Sequence, residues 1–192
     1  MSRLGIIPTK KIPIKKINEF PLPSKEDKKL NIVYRYSSAH GLGLKRKEYP
    51  EKIRKIEEDE LVTVLKESGY FANIQPGQEG ELKIEADMLW SDSGNPVSYI
   101  AAVLCGLSAT AFPAWMTGNY KLTVNVETSD GKNKKYIFDD SLILVVWAPA
   151  IFVAPFNHDM VTVPAQVREN MYKNLIIQIQ EDGLLIPVKK NL

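Results

Sequence analysis

Residues 120–140, YKLTVNVETSDGKNKKYIFDD, hold the reading on which the fold turns. Leu122, Val124 and Val126 alternate with Thr123, Asn125 and Glu127, a period of two that suits a half-buried strand. Asp130-Gly131 is a tight-turn pair, and Tyr136-Ile137-Phe138 resumes the apolar pattern, so the stretch predicts a hairpin. Upstream, Leu82, Ile84, Ala86, Met88 and Trp90 alternate against Lys83, Glu85, Asp87 and Leu89, which predicts a strand leading into it.

Two apolar inserts flank this core. Val97–Met116, VSYIAAVLCGLSATAFPAWM, is 20 residues without a charge, and Ser141–Phe156, SLILVVWAPAIFVAPF, is another 16. As straight helices they would measure about 30 Å and about 24 Å, against about 30 Å for a bilayer core. In an antiparallel meander the first insert joins the end of one strand to the start of the next, and the second leaves from the end of the third. Both therefore emerge at one end of the sheet, with the hairpin turn at the other. A single crossing would strand the following strand on the far side of a membrane. Each insert is thus expected to enter and return, or to lie flat at the interface. Gly106, Pro113, Pro149 and Pro155 are where such bends can be made.

The side chains expected to meet lipid in the first insert are Tyr99, Leu104, Leu107, Phe112 and Trp115. Those in the second are Leu144, Trp147, Ile151, Phe152 and Phe156. Their aromatic members suit the headgroup level. The competing reading is that both inserts are buried core segments of a soluble domain.

The rest of the chain supplies the other elements. Leu30, Ile32, Tyr34 and Tyr36 predict a strand, followed by a loop over Ser37–Leu44. Tyr49–Ser68 predicts an amphipathic helix with Ile53, Ile56, Leu61, Val64 and Leu65 inward, Pro50 in its first turn and Gly69 as cap. Glu57-Glu58-Asp59-Glu60 is read as that helix's solvated face. Pro164–Asp182 predicts a second helix through Val167, Met171, Leu175, Ile176 and Ile179, stopped by Gly183. The expected fold class is α+β: an antiparallel sheet packed by two amphipathic helices, with two apolar membrane-associating inserts at one end of the sheet.

At 192 residues, 44% hydrophobic and 25% charged, the chain has the size and composition of one globular domain. Its net charge of +2 conceals an uneven distribution. Residues 1–56 carry 15 Lys and Arg against 5 Asp and Glu, while the remainder carries 10 against 18. So small a net charge argues against a nucleic-acid partner. Residues 1–29, with Pro8, Pro13, Pro21 and Pro23 between lysine pairs, are expected to form a basic linker, and 30–192 a single α+β domain with inserts at 97–116 and 141–156.

Residues that carry chemistry are sparse. His40 falls in the expected glycine-containing loop, which lacks both the dinucleotide and the P-loop spacing. His158-Asp159 has no partner at ligand spacing, and Cys105 lies in an apolar run. No catalytic residue, metal site or cofactor is expected, and the chain is not expected to be an enzyme.

Leu107-Ser108-Ala109-Thr110-Ala111-Phe112-Pro113-Ala114-Trp115 has the form Leu-x-x-x-x-Phe-Pro-Ala-Trp, and a Tyr-x-Leu-x-Val strand, Tyr120–Val124, follows it. With the Pro/Lys leader and the second apolar block, the arrangement resembles uncharacterised bacterial envelope lipoprotein families over residues 30–182. The resemblance implies a small α+β body at the periplasmic face of an envelope membrane, usually the outer membrane. It also implies an acylated N-terminal cysteine, whereas this chain begins Met1-Ser2-Arg3 and Cys105 is internal. An upstream signal removed from the mature chain would reconcile the two.

The function expected is that of a membrane-associated structural or scaffolding protein of the bacterial envelope. The lipid bilayer is its expected partner, with protein partners and a homo-oligomer as further candidates. The alternative is a soluble binding module whose apolar inserts form a ligand pocket or an oligomer interface.

Overall fold

The computed structural model describes residues 9–12, 14–17, 20, 23, 29–42, 45–78, 80–92, 96–108, 111–146 and 159–185. Among these, the chain order is β1 (Thr9–Ile12), β2 (Leu30–Leu42), β3 (Lys45–Glu48), α1 (Glu51–Glu67), β4 (Phe71–Pro76), β5 (Leu82–Asp92), α2 (Pro96–Leu107), β6 (Ala114–Thr128), β7 (Asn133–Val146) and α3 (Asp159–Glu181). The expected α+β class holds. The hairpin runs without a slip from Glu127 opposite Asn133 to Ala114 opposite Val146, and β5 pairs antiparallel with β6 from Leu82 to Asp92.

The sheet is mixed and runs in the order β1-β7-β6-β5-β2-β3, with β4 on the same edge of β2 as β3. Only the β5–β6–β7 meander and the β2–β3 hairpin are antiparallel; β2 is parallel to β4 and β5, and β1 is parallel to β7. Helix α1 supplies the crossover that a parallel neighbour requires. Gly69, at φ +75°, turns the chain out of α1, its N–H donating to the Lys66 carbonyl. Alternation puts Leu82, Ile84, Leu122, Val124 and Phe138 on the helix-covered face, packed with Leu61 and Leu65 of α1 and Leu175 and Ile179 of α3. The opposite face carries Arg35–Glu85, Lys83–Glu85 and Arg46–Asp87 ion pairs.

Four expectations are corrected. The inserts do not lie wholly outside the strands: the first contributes the 12-residue α2 and, from Ala114, the start of β6, and Ser141–Val146 of the second is the last part of β7. Leucine, isoleucine and valine there extend the hairpin because each residue gains a ladder partner. No helix among the described residues is long and apolar enough to cross a membrane. His40 is in no loop, because β2 continues to Leu42; it faces Lys47 and Trp90 in the ladders and stacks on Tyr49 at 5.1 Å between ring centroids.

The third correction concerns α1. Ile53 and Ile56 are exposed, and Glu57, 5% exposed, takes the inward position one turn before Leu61. Its Oε2 accepts from Tyr36 Oη at 3.4 Å, and Arg168 of α3 lies 3.7 Å from its Oε1. Arg168 also grips Glu60 with Nε and Nη2 at 2.7 and 2.8 Å, while Tyr36 and Tyr172 share a hydroxyl hydrogen bond of 3.0 Å. Burial pushes Glu57 above its ordinary value of 4.5, and the Arg168 charge only partly offsets this. Three of these groups thereby pin α1 to α3 with satisfied polar atoms.

Fourth, the expected linker is in part a component of the fold. Thr9–Ile12 adds an edge strand to β7, and Ile14 and Phe20 pack against the core. The Lys15 and Ile17 N–H groups donate to Asn174 and Asn170 Oδ1 at 3.1 and 3.0 Å, and Asn174 Nδ2 donates back to the Lys15 carbonyl at 2.7 Å. Among the Pro/Lys runs, polar stitching replaces the apolar periodicity that a sequence reading looks for.

Truncation of residues 1–17 is therefore expected to lower the thermal midpoint, and Asn174→Ala alone to cost about 1–3 kcal/mol in a denaturant titration, since it orphans the backbone groups of Lys15. A truncated chain as stable as the full one would show the leader to be dispensable. A second test concerns Glu57. A carboxyl held above its unfolded value keeps its proton longer in the folded state, so stability declines as pH rises from 4.5 through the raised value. Thermal melts from about pH 4 to about pH 7 should show Glu57→Gln gaining on the parent as pH rises. A constant gap across that window would mean that Glu57 ionises as it does in the unfolded chain.

Candidate functional site

The register gathers the apolar side chains. Residues 96–113 leave the end of β5 and return at the start of β6, and Ala114 pairs with Val146 at the end of β7. One end of the sheet therefore carries the α2 segment and the terminal residues of β6 and β7, and the turn over Ser129–Lys132 lies at the other.

Helix α2 inverts the usual amphipathic arrangement. Ser98, Ala101 and Cys105, small residues at helical spacing, are buried, the last two against Ala114 of β6. Small groups on that stripe let the helix axis approach the sheet closely. Val97, Tyr99, Ile100, Val103, Leu104 and Leu107 face outward, Leu107 with 82% exposure. Apolar residues on every side usually mean a helix buried on every side. Here, among the described residues, one side is covered and the others are exposed.

Strand alternation extends the apolar surface around the sheet end. Trp115 and Ile143 occupy positions opposite in sense to Ala114 and Leu142, and both are exposed, Ile143 at 68%. Along the outer face of β7 the residues run Lys135, Ile137, Asp139, Ser141, Ile143, so charge gives way to hydrocarbon towards the α2 end. Phe112, just before β6, is exposed too, its N–H donating to Ser108 Oγ at 3.1 Å. The Tyr99 hydroxyl donates to Asp92 Oδ2 at 2.9 Å, and that carboxylate holds the phenol above its ordinary value. Gly118 marks the inner boundary of the region. A Cβ there would stand 2.6 Å from Trp90 Nε1, so glycine is what lets the indole lie over β6.

Of the residues expected to contact lipid, Tyr99, Leu104, Leu107, Phe112 and Trp115 are brought together and exposed. Leu144 pairs with Met116 at the same end. Trp147, Ile151, Phe152, Phe156 and His158 lie outside the described residues. Val97, Ile100, Val103 and Ile143 belong to the surface and were missed as site residues. The stripe Ser98-Ala101-Cys105 was the available signal, because it marks which face of α2 is small enough to pack. Cys105 is buried, and among the described residues no group of three or more His, Cys, Asp or Glu could hold a metal.

No family model matches the chain, and no curated protein matches it. Solved structures do. The crystal structure of a Xanthomonas campestris protein carrying the DUF330 family model covers 91% of this chain and 99% of its own, at 12% identity and a TM-score of 0.49. The PelC dodecamer from Paraburkholderia phytofirmans covers 68% of this chain and 77% of its own, at 10% identity and a TM-score of 0.28.

Proposed function

We propose that the protein is a membrane-associated structural or scaffolding component of a bacterial envelope, without catalytic activity, that docks end-on on a bilayer through the α2 end of its sheet. One observation carries this reading: an uncharged helix turns its large apolar side chains away from the protein and is continued by Trp115 and Ile143 on the other face of the sheet. Contiguous apolar surface of this kind marks membrane or protein contact. The geometry suits an interfacial rather than a spanning mode. At 12 residues α2 is about 18 Å long, and an interfacial helix sinks only about 5–10 Å. The body would then project its charged hairpin turn, with Asp130 and Lys132, away from the surface towards partners in the periplasm.

Leu104→Asp/Leu107→Asp tests the reading. Both side chains are exposed, so the thermal midpoint should barely move, whereas losing two leucines from lipid, at about 1.5 kcal/mol or more each, should weaken vesicle partition at least a hundredfold. Flotation of the full chain with liposomes measures this. A parent protein that ignores liposomes and sediments as a stable oligomer dissociated by the same substitutions would instead establish the soluble module.

A further inference from the structure

We infer that the docking end selects anionic phospholipid, and that Lys45 and Lys47 of the β2–β3 hairpin are the headgroup-reading residues; the inference rests on the end-on docking proposed above. Because β2 is parallel to β5, its C-terminal end arrives at the same end of the sheet as α2. Gly41 pairs with Ser91, which in turn pairs with Asn119, and Leu42, one residue further on, pairs with Lys45. The hairpin therefore ends at the same end of the sheet as the apolar surface, about 14 Å across the sheet from β6 at ~4.8 Å per strand, although some 50 residues separate it from α2 in sequence.

Alternation sorts the hairpin's charges. Arg46 pairs with Gly41 and lies on the outer face, where its Nη1 and Nη2 bind Asp87 at 3.0 and 2.6 Å; it is fully engaged. Burial opposes the ionised form of Asp87, yet the bonds from Arg46 and Ser37 hold its carboxyl below the ordinary value. Lys45 and Lys47, opposite Leu42 and His40, lie on the face that bears α2, and both are exposed. Neither has an ion-pair partner among the described residues. Nearby acids are disposed elsewhere. Asp92 accepts from Tyr99, Glu48 alternates to the outer face, and Asp139 and Asp140 sit on β7, about 19 Å across the sheet from β3 at ~4.8 Å per strand.

Depth agrees with this assignment. Lys45 is level with Gly118, three residues short of Trp115, hence about 10 Å behind the apolar tip. An end that sinks about 5–10 Å into the interface brings the Lys45 ammonium to the depth of the phosphates. Lys47 follows two residues behind on the same face.

The experiment is flotation of the full chain with phosphatidylcholine vesicles and with vesicles containing about 30% phosphatidylglycerol, at about 0.1 M and about 0.5 M salt. Each lysine near an anionic surface is expected to raise partition about fivefold, so Lys45→Gln/Lys47→Gln should cut binding to the anionic vesicles some 25-fold at low salt. Binding to neutral vesicles should be unchanged, and high salt should abolish most of the difference. An anionic preference that survives the double substitution, or equal binding to both vesicles by the parent, overturns the inference and leaves end-on docking intact. Failure of the parent to bind either vesicle overturns the docking reading and this inference with it.

Discussion

Everything at the functional end depends on the pairing register between β6 and β7. The ladder runs from Glu127–Asn133 to Ala114–Val146 without an irregularity, and its side chains alternate strictly between a helix-covered face and an outer one. A one-residue slip of β6 would move Leu122 and Val124 out of the core and put Thr123 and Asn125 in their place. It would equally turn Ala114 away from Ala101 and Cys105, and α2 would lose its seat. One register therefore fixes both the core and the surface that faces outward at the α2 end.

The two ends of the helix layer are held by different physics. Helices α1 and α3 are anchored by apolar packing reinforced by charged groups, with Arg168 bridging Glu57 and Glu60 beneath the Tyr36–Tyr172 pair. Removing Arg168 alone from such a buried set would leave the carboxylates beside it uncompensated, which is costly. Helix α2 carries no charged residue. It rests on three small side chains and exposes its large ones, so most of its apolar area has not been removed from water. Burial is worth about 25 cal/mol per Å² of apolar surface, and at this end that free energy remains available to a bilayer or another apolar partner.

Charge and hydropathy are arranged along the strands rather than around the body. Ion pairs such as Arg35–Glu85 and Lys83–Glu85 occupy the middle of the outer face, and Lys132–Asp130 and Lys134–Asp182 occupy the hairpin end. Single ion pairs at a protein surface contribute little to stability. They mark the polar part of the surface, and the apolar end begins where they stop.

Much of this was legible in local patterns. Period-two alternation identifies β5, β6 and β7, the 3.6-residue stripe identifies α3, and the alternation of directions in a meander places both apolar inserts at one end, since these follow from residues near one another in the chain. Three features were decided by tertiary structure alone. The parallel insertion of β2 beside β5, which carries Lys45 and Lys47 to the apolar end, joins segments about 50 residues apart, and no local pattern distinguishes a parallel from an antiparallel partner. The burial of Glu57 and exposure of Ile56 reflect where α3 brings Arg168, a charge that makes an inward carboxylate tolerable. The outward face of α2 was hidden because a helix apolar all round has no polar side to reveal its orientation; the packing of small Ala101 and Cys105 on Ala114 supplies it.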